Sequence, residues 1–375
     1  MVFDSLIAML GADRCRVDPE SRKRAMPGWN PEVAHGIGAP PGCLVIPSDI
    51  DMVLAVVERC AREGWTLGAV GGRTGIDPHR PVDVALDMTP VRTFDIDPIG
   101  MRAKVGAGWT LDSLEETLAE HGLAHGHRLG SGKLATIGGA IATDAAGGFH
   151  GRYGRVRDAV LGATVVSSAG RIEHRGAEPG WRGDALLLQV DLLLHPEPEA
   201  RAWAVVDFPD PSNAVDALRL ILRCDARPAL AGVFERGRLT LAFEGDEIVQ
   251  EASYRLGVGV ALRCGGKLVG GTDEGEAWWE TRCRSDVWAA NRRESTWADL
   301  IEVNVPWSRI DRVANALSSA SDAMSFPEIT QPWAGGATVA MPLVATTDAA
   351  GWRRLRARLR AIVVAAGGVP RRGFD

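Results

Sequence analysis

GSGKLATIGGAIATDAAGGFHGRYGRVRDAV, residues Gly130 to Val160, interleaves eight glycines with Ser131, Thr136 and Thr143. Glycine combines access to positive φ with the lack of a side chain, so a backbone rich in it lets a bulky charged group lie directly on its amides. With hydroxyl residues added, the stretch reads as a bed for a phosphate-bearing group, the alternative being an ordinary glycine-rich bend. Two shorter glycine pieces lie upstream. In WTLGAVGGRTGID an alternating apolar strand breaks into Gly71, Gly72, Arg73, Thr74, Gly75 and Ile76, a strand-to-loop junction where amides converge. A Walker loop needs Lys-Ser/Thr after its last glycine and a Rossmann fingerprint opens a helix; here Asp77-Pro78 follows instead. Gly106 and Gly108 form the other glycine turn.

Around these loops strands and helices alternate. CLVIP is a strand; Asp49 then caps a helix on which Val53, Leu54, Val57 and Ala61 recur until Gly64. Strands follow at Val82 to Leu86 and Ala103 to Gly106, and Thr110 caps a helix with the stripe Leu111, Leu114 and Leu118. LGATVVSSAG is a further strand, turning at Ala169-Gly170. Residues 1–37 open with a short helix and become a basic, Pro/Gly-rich arm. Beyond residue 200 the order changes to two runs of strand, helix, strand, strand, helix, as in a split βαβ unit. The first includes the strands ALAGVFE, LTLAFEG and GVALRC, and the second the strands LIEVNVP, PEIT and ATVAMPL. The whole is an α+β chain whose second half predicts a large antiparallel sheet with helices on one face.

Composition narrows the function. The 375 residues are 46% hydrophobic and 24% charged, enough for two or three domains with their own cores. A net charge of −6 argues against nucleic acid as a partner and favours a small molecule. Six dispersed cysteines without a CxxC predict reduced thiols, no metal site and a cytoplasmic protein. No signal peptide and no transmembrane segment is read; even ALLLQVDLLL is broken by Gln189 and Asp191.

The ordered set GGRTGID, LDMTPVRTFDID, VGAGWTLDSLEETLAEHGL, GSGKLATIGGAIATDAAGG, RYGRVRDAVLGATVVSSAGRI and LLLQVDLLLHPEP resembles the FAD-binding domain of the FAD-linked oxidase family, the vanillyl-alcohol oxidase or p-cresol methylhydroxylase type. The resemblance covers about residues 38–198. It implies a two-subdomain FAD-binding domain over residues 1–200 and a cap or substrate domain over 201–375, with FAD held non-covalently. Carried over by position, Gly71, Gly72, Arg73, Thr74, Gly75 and Ile76 form the first pyrophosphate loop. Ser131, Thr136, Ile137, Gly138, Gly139, Ala142 and Thr143 form the second, and Leu186 and Leu187 lie beside the adenine end. Three departures stand out: Asp144 in place of asparagine, Arg73 in place of a small residue, and ALLLQ in place of a GIVTE-like segment. A carboxylate near a diphosphate needs a cation, and Arg73 or Arg157 is the expected partner.

The second half resembles the cap of D-2-hydroxyacid dehydrogenases at Trp279 to Arg282 and at Glu302 to Pro306 with Ser308 and Arg309, but both histidine motifs of those enzymes are missing. Its ending is similar to the short FAD-binding subunit of the multi-subunit glycolate oxidase. Two readings follow from these resemblances: an FAD-dependent oxidoreductase oxidising a small 2-hydroxy acid or alcohol by hydride transfer to flavin N5, or an accessory FAD-binding subunit that docks on a second flavoprotein and an iron–sulfur subunit. Hydroxy-acid oxidation needs a cation for the carboxylate and a base for the hydroxyl proton. Arg282 and Arg309 are the candidate cations, and of His125 and His127 the candidate base is His127.

Overall fold

The computed structural model describes residues 2–26, 38–75, 81–176, 185–235, 237–283, 296–320 and 327–371. The chain divides into two compact units, Met1–Ala145 with Arg155–Pro196, and Ala146–Gly154 with Glu197–Asp375. The glycine-rich stretch that opens at Gly130 therefore contributes to both.

The first unit is built on two sheets. One has the order β1-β2-β4-β3 (Cys15–Arg16, Cys43–Val45, Val84–Asp87, Leu67–Val70), its inner strands parallel and β1 antiparallel at the edge. Helices α1 (Asp4–Leu10), α2 (Pro19–Arg24) and α3 (Ile50–Glu63) belong with it. Helix α3 starts where Asp49 accepts a hydrogen bond from the Met52 amide at 2.8 Å and ends at Gly64 with φ 72°, a cap worth about 1 kcal/mol. The other sheet has the order β5-β6-β10-β8-β9 (Phe94–Asp97, Arg102–Gly106, Ala185–Leu193, Val160–Ser167, Ile172–Gly176), antiparallel throughout. Its Val166 and Leu188 join one core with Val84 and Leu86 of the first sheet. Val105, Val165 and Val190 pack instead with helices α4 (Leu111–Ala119) and α5 (Ile137–Ala142). The short strands β7 (Leu123–Ala124) and β11 (His195–Pro196) pair with each other. Part of the expected N-terminal arm is thus structure: Leu6 and Cys15 are buried against Val45 and Val84, because their apolar side chains cover the parallel sheet.

The second unit carries one eight-stranded antiparallel sheet, as the two runs predict. Its order is β15-β12-β14-β13-β17-β18-β16-β19, with β12 Ala200–Asp207, β13 Leu230–Phe234, β14 Arg238–Gly245, β15 Lys267–Gly270, β16 Thr296–Pro306, β17 Glu328–Trp333, β18 Gly336–Thr346 and β19 Val369–Pro370. The helices are α6 (Pro211–Arg223), α7 (Glu247–Arg263), α8 (Thr272–Cys283), α9 (Ile310–Ala320) and α10 (Ala349–Ala366).

Two expectations are corrected here. GVALRC is not a strand: residues 259–263 are the last turns of α7, Gly265 at φ 88° follows its end, and the strand comes at Lys267–Gly270. A Cβ at Gly257 would stand 2.6 Å from the Phe243 ring, so this glycine lets the helix lie close on the sheet. Nor do the helices share one face. Trp203 is opposite Ala242, whereas Phe243 is opposite Ala202, which puts Trp203 and Phe243 on different faces. Helix α7 covers Phe243, while Gly275 of α8 sits against Trp203.

Candidate FAD-binding and substrate sites

The first expected pyrophosphate loop leaves β3 and runs along the second. A Cβ at Gly71 would stand 2.2 Å from Thr136 Oγ1, and one at Gly72 only 1.8 Å from the Leu134 carbonyl oxygen. One at Gly75 would reach Thr143 Cγ2 at 4.0 Å. The two loops are therefore neighbours from residue 134 to residue 143, and Gly72 admits no side chain. Ile76 lies outside the described residues.

The two loops do not offer their amides equally. In the second, Leu134 and Ala135 N–H donate to Ser131 O at 2.8 and 2.7 Å. Ile137 N–H donates to Trp109 O at 2.8 Å, Gly138 N–H to Ala107 O at 3.0 Å, and Gly139 N–H to Thr136 Oγ1 at 3.2 Å. The Thr143 hydroxyl donates back to Gly139 O at 2.9 Å. In the first loop, the amides of Gly71, Gly72, Arg73, Thr74 and Gly75 donate to no acceptor among the described residues. A run of N–H groups without an acceptor among the described residues, beginning beside Thr136, fits a diphosphate, which such amides neutralise without needing cations. Leu186 and Leu187 lie on β10, half-buried and packed against different cores, Leu186 with Leu188 and Leu187 with Val190.

The cations do not behave as expected. Arg73, at φ 59°, turns its guanidinium onto buried Asp87 at 2.5 Å and donates to Arg24 O at 2.8 Å. Asp87 accepts further bonds from the amide and hydroxyl of Thr89. Arg157 donates to Ile141 O at 2.9 Å. The partner of Asp144 is Arg155, at 2.8 Å. The Asp144 φ of 54° is one that aspartate and asparagine adopt more readily than most other side chains.

His127 is buried and stacked on His125 with ring centroids 5.7 Å apart. Glu115 accepts the His125 amide at 2.8 Å, and the His127 amide donates to His125 Nδ1 at 2.9 Å. The proton of His125 is therefore on Nε2, which donates to Leu111 O at 2.8 Å.

His127 is in the first unit; Arg282 and Arg309 are in the second, in separate surroundings. Arg282 gives both terminal nitrogens to Glu328 and stacks on Phe234 and Trp278, at 4.7 and 5.4 Å from their ring centroids. Arg309 lies against Gly367 at the end of α10. The sheet face that carries Trp203 is polar beyond these residues. Its cross-strand rows bring Thr240, Thr330, Thr338 and Asn304 together, flanked by Glu302 and Arg371. Buried Glu244 on the same face accepts from Tyr153 and Arg201. Thr240, Glu244, Thr330, Thr338 and Arg371 were not singled out from the sequence, although the polar residues alternating inside LTLAFEG are a signal for Thr240 and Glu244. Among the described residues no three metal-ligating side chains come together, and no helix is long and apolar enough to cross a membrane.

A family model described as an FAD binding domain matches residues 41–176, and one described as the C-terminal domain of FAD linked oxidases matches residues 235–371. The chain belongs to the FAD-linked oxidase family. Alkyldihydroxyacetonephosphate synthase of Trypanosoma brucei brucei is 27% identical over 184 residues, 45% of this chain and 30% of that protein. D-lactate dehydrogenase of Archaeoglobus fulgidus is 30% identical over 138 residues, 36% of this chain and 31% of that protein. The matched stretches thus span about a third of these relatives. A solved alkyldihydroxyacetonephosphate synthase shares the fold with a TM-score of 0.86 at 17% identity, over 98% of this chain and 80% of that one. FAD is the cofactor of this FAD-linked oxidase.

Proposed function

We propose that this FAD-linked oxidase is an FAD-dependent oxidoreductase oxidising a small 2-hydroxy acid or alcohol. The observation that carries the reading is the loop Gly71–Gly75, whose amides meet no acceptor among the described residues, lying along residues 134–143. In this reading Gly71, Gly72, Arg73, Thr74, Gly75 and Ile76 bind the pyrophosphate. Ser131, Thr136, Ile137, Gly138, Gly139, Ala142 and Thr143 close the other side, and Leu186 and Leu187 pack at the adenine end. The bound flavin supplies a two-electron acceptor for the hydride leaving the substrate carbon. The similarity to D-lactate dehydrogenase supports a hydroxy acid as substrate. FAD is held non-covalently, so acid precipitation should release all of the flavin into the supernatant.

The accessory-subunit reading is supported by one observation: Arg282, an expected substrate cation, is already engaged by Glu328. Anaerobic mixing of the isolated, flavin-loaded chain with a panel of 2-hydroxy acids and alcohols separates the two. Bleaching of the flavin absorbance by one of them supports the enzyme; photoreducible flavin that no substrate bleaches supports the accessory subunit. A chain that takes up no FAD overturns both.

A further inference from the structure

We propose that Arg371 and Glu302 form a two-point recognition site for a 2-hydroxy acid, Arg371 holding the carboxylate and Glu302 accepting the hydrogen bond of the neighbouring hydroxyl. The two residues are cross-strand partners at the β16–β19 edge: the Arg371 amide donates to Glu302 O at 3.0 Å. Their side chains share the polar face with Asn304, which accepts from the Thr338 hydroxyl at 3.1 Å.

Charge balance selects Arg371. Of the other arginines on this face, Arg201 meets Glu244 at 2.5 Å, Arg238 meets Asp207 at 2.9 Å, and Arg282 is bidentate to Glu328. Among the described residues the Arg371 guanidinium donates to one acceptor, the neutral amide oxygen Gln331 Oε1 at 2.6 Å, and Glu302 Oε1 stays 3.6 Å away. Yet the side chain is 15% exposed. A cation withdrawn from water and incompletely compensated attracts an anion, and the guanidinium edge formed by Nε and Nη2 donates to nothing among the described residues, leaving the fork that grips a carboxylate. Glu302 is 22% exposed and, among the described residues, its side chain receives only the loose contact from Arg371. A cation and an acceptor 3.6 Å apart suit a molecule bearing its carboxylate and hydroxyl on adjacent carbons.

The site is also held rigidly. Gln331 stands at φ 43°, in an irregularity between Thr330 and Trp333 where β17 departs from regular pairing with β18. Its side chain is fixed at both ends, accepting from Arg371 and donating to Ala146 O at 3.3 Å. A non-glycine residue held in the left-handed region costs about 1 kcal/mol or more and persists where its surroundings demand it. Here that conformation orients the amide that aims Arg371.

The proposal rests on the hydroxy-acid reading above and narrows it, excluding an uncharged alcohol as the preferred substrate. The test is calorimetric titration of the purified, flavin-loaded chain with oxalate, glycolate and ethylene glycol. The wild type should bind both acids and not the diol. Arg371→Met should weaken both acids by about tenfold or more, and Arg371→Lys should weaken them less, since the charge remains without the fork. Glu302→Gln should weaken glycolate more than oxalate, which has no hydroxyl. Arg354→Gln, an exposed helix arginine, should leave binding unchanged and so controls for net charge. If folded Arg371→Met binds oxalate like the wild type, or Glu302→Gln affects the two acids equally, the proposal falls. Acid binding that depends on Arg371 in a chain whose flavin no hydroxy acid bleaches would support the site while rejecting the oxidoreductase reading.

Discussion

The hydroxyl of Tyr153 donates to Glu244 Oε1 at 2.5 Å, and Arg201 donates to the other oxygen of the same carboxylate at 2.5 Å. Tyr153 ends the short helical turn His150–Tyr153, inside the segment 146–154 that interrupts the glycine-rich stretch. A carboxylate buried in a sheet is tolerable only when hydrogen-bonded and charge-compensated, so this pair fixes the segment to β14 as firmly as its apolar neighbours Phe149 and Trp203 do.

Tyr153→Phe removes the hydroxyl and leaves one oxygen of a buried carboxylate without its donor, which should lower unfolding stability by about 1–3 kcal/mol. Burial, followed by the charge of Glu244, pushes the Tyr153 phenol above its ordinary range. The folded chain therefore keeps this proton where the unfolded chain loses it, and stability should fall as pH rises above about 10. Urea denaturation across that range, comparing wild type with Tyr153→Phe, measures the effect; identical pH slopes would refute it.

Gly72→Ala would place a methyl group 1.8 Å from the Leu134 carbonyl and force the two loops apart. The variant should purify with little flavin, with FAD affinity reduced by about tenfold or more. Fluorescence titration of FAD into apoprotein reports this directly, and unaltered affinity would detach the loop contact from cofactor binding.

Arg155→Gln should weaken FAD binding, because Asp144 loses its cation beside the proposed diphosphate site. Asp144→Asn should have little effect or a favourable one, and the double variant should bind better than Arg155→Gln alone. A double-mutant cycle on FAD affinity gives the coupling; simple additivity would mean that Arg155 acts independently of Asp144.

Asp299 is buried beneath α10, where Arg356 lies 3.2 Å away. Burial outweighs that cation and pushes its carboxyl up to about 6. Between the ordinary value near 4 and about 6 the folded chain binds more protons than the unfolded one, so this residue makes stability decline as pH rises through that window. Thermal unfolding of Asp299→Asn at pH 4, 5, 6 and 7 should show a smaller decline than the wild type. A wild-type slope equal to that of the variant would assign the effect elsewhere.

Order along the chain made much of this legible. Capping residues and apolar periodicity are local properties, and they were sufficient to read the helices behind Asp49 and Thr110 and the antiparallel character of the second unit, while the FAD-binding domain was read from the resemblance of an ordered set of motifs to a known family. GVALRC shows where local reading ends. Its own glycine, Gly257 just before it and its apolar residues suit a strand as well as a helix, and only the Phe243 ring beneath Gly257 reveals why a helix runs there.

By itself, then, the sequence determined membership of the FAD-linked oxidase family and that a large antiparallel sheet would follow the FAD-binding domain. Tertiary structure decided how the charges and amides are used. Arg73 turns to Asp87 and Asp144 to Arg155, and the second loop's amides are bonded to backbone and hydroxyl oxygens while those of Gly71 to Gly75 meet no acceptor among the described residues. It also decided that Arg371 lies beside Glu302 across a strand pair almost seventy positions apart in the chain. The physical reason is the same in each case: a hydrogen bond or ion pair depends on which groups meet in space, and register between distant strands is set by packing that no local pattern contains.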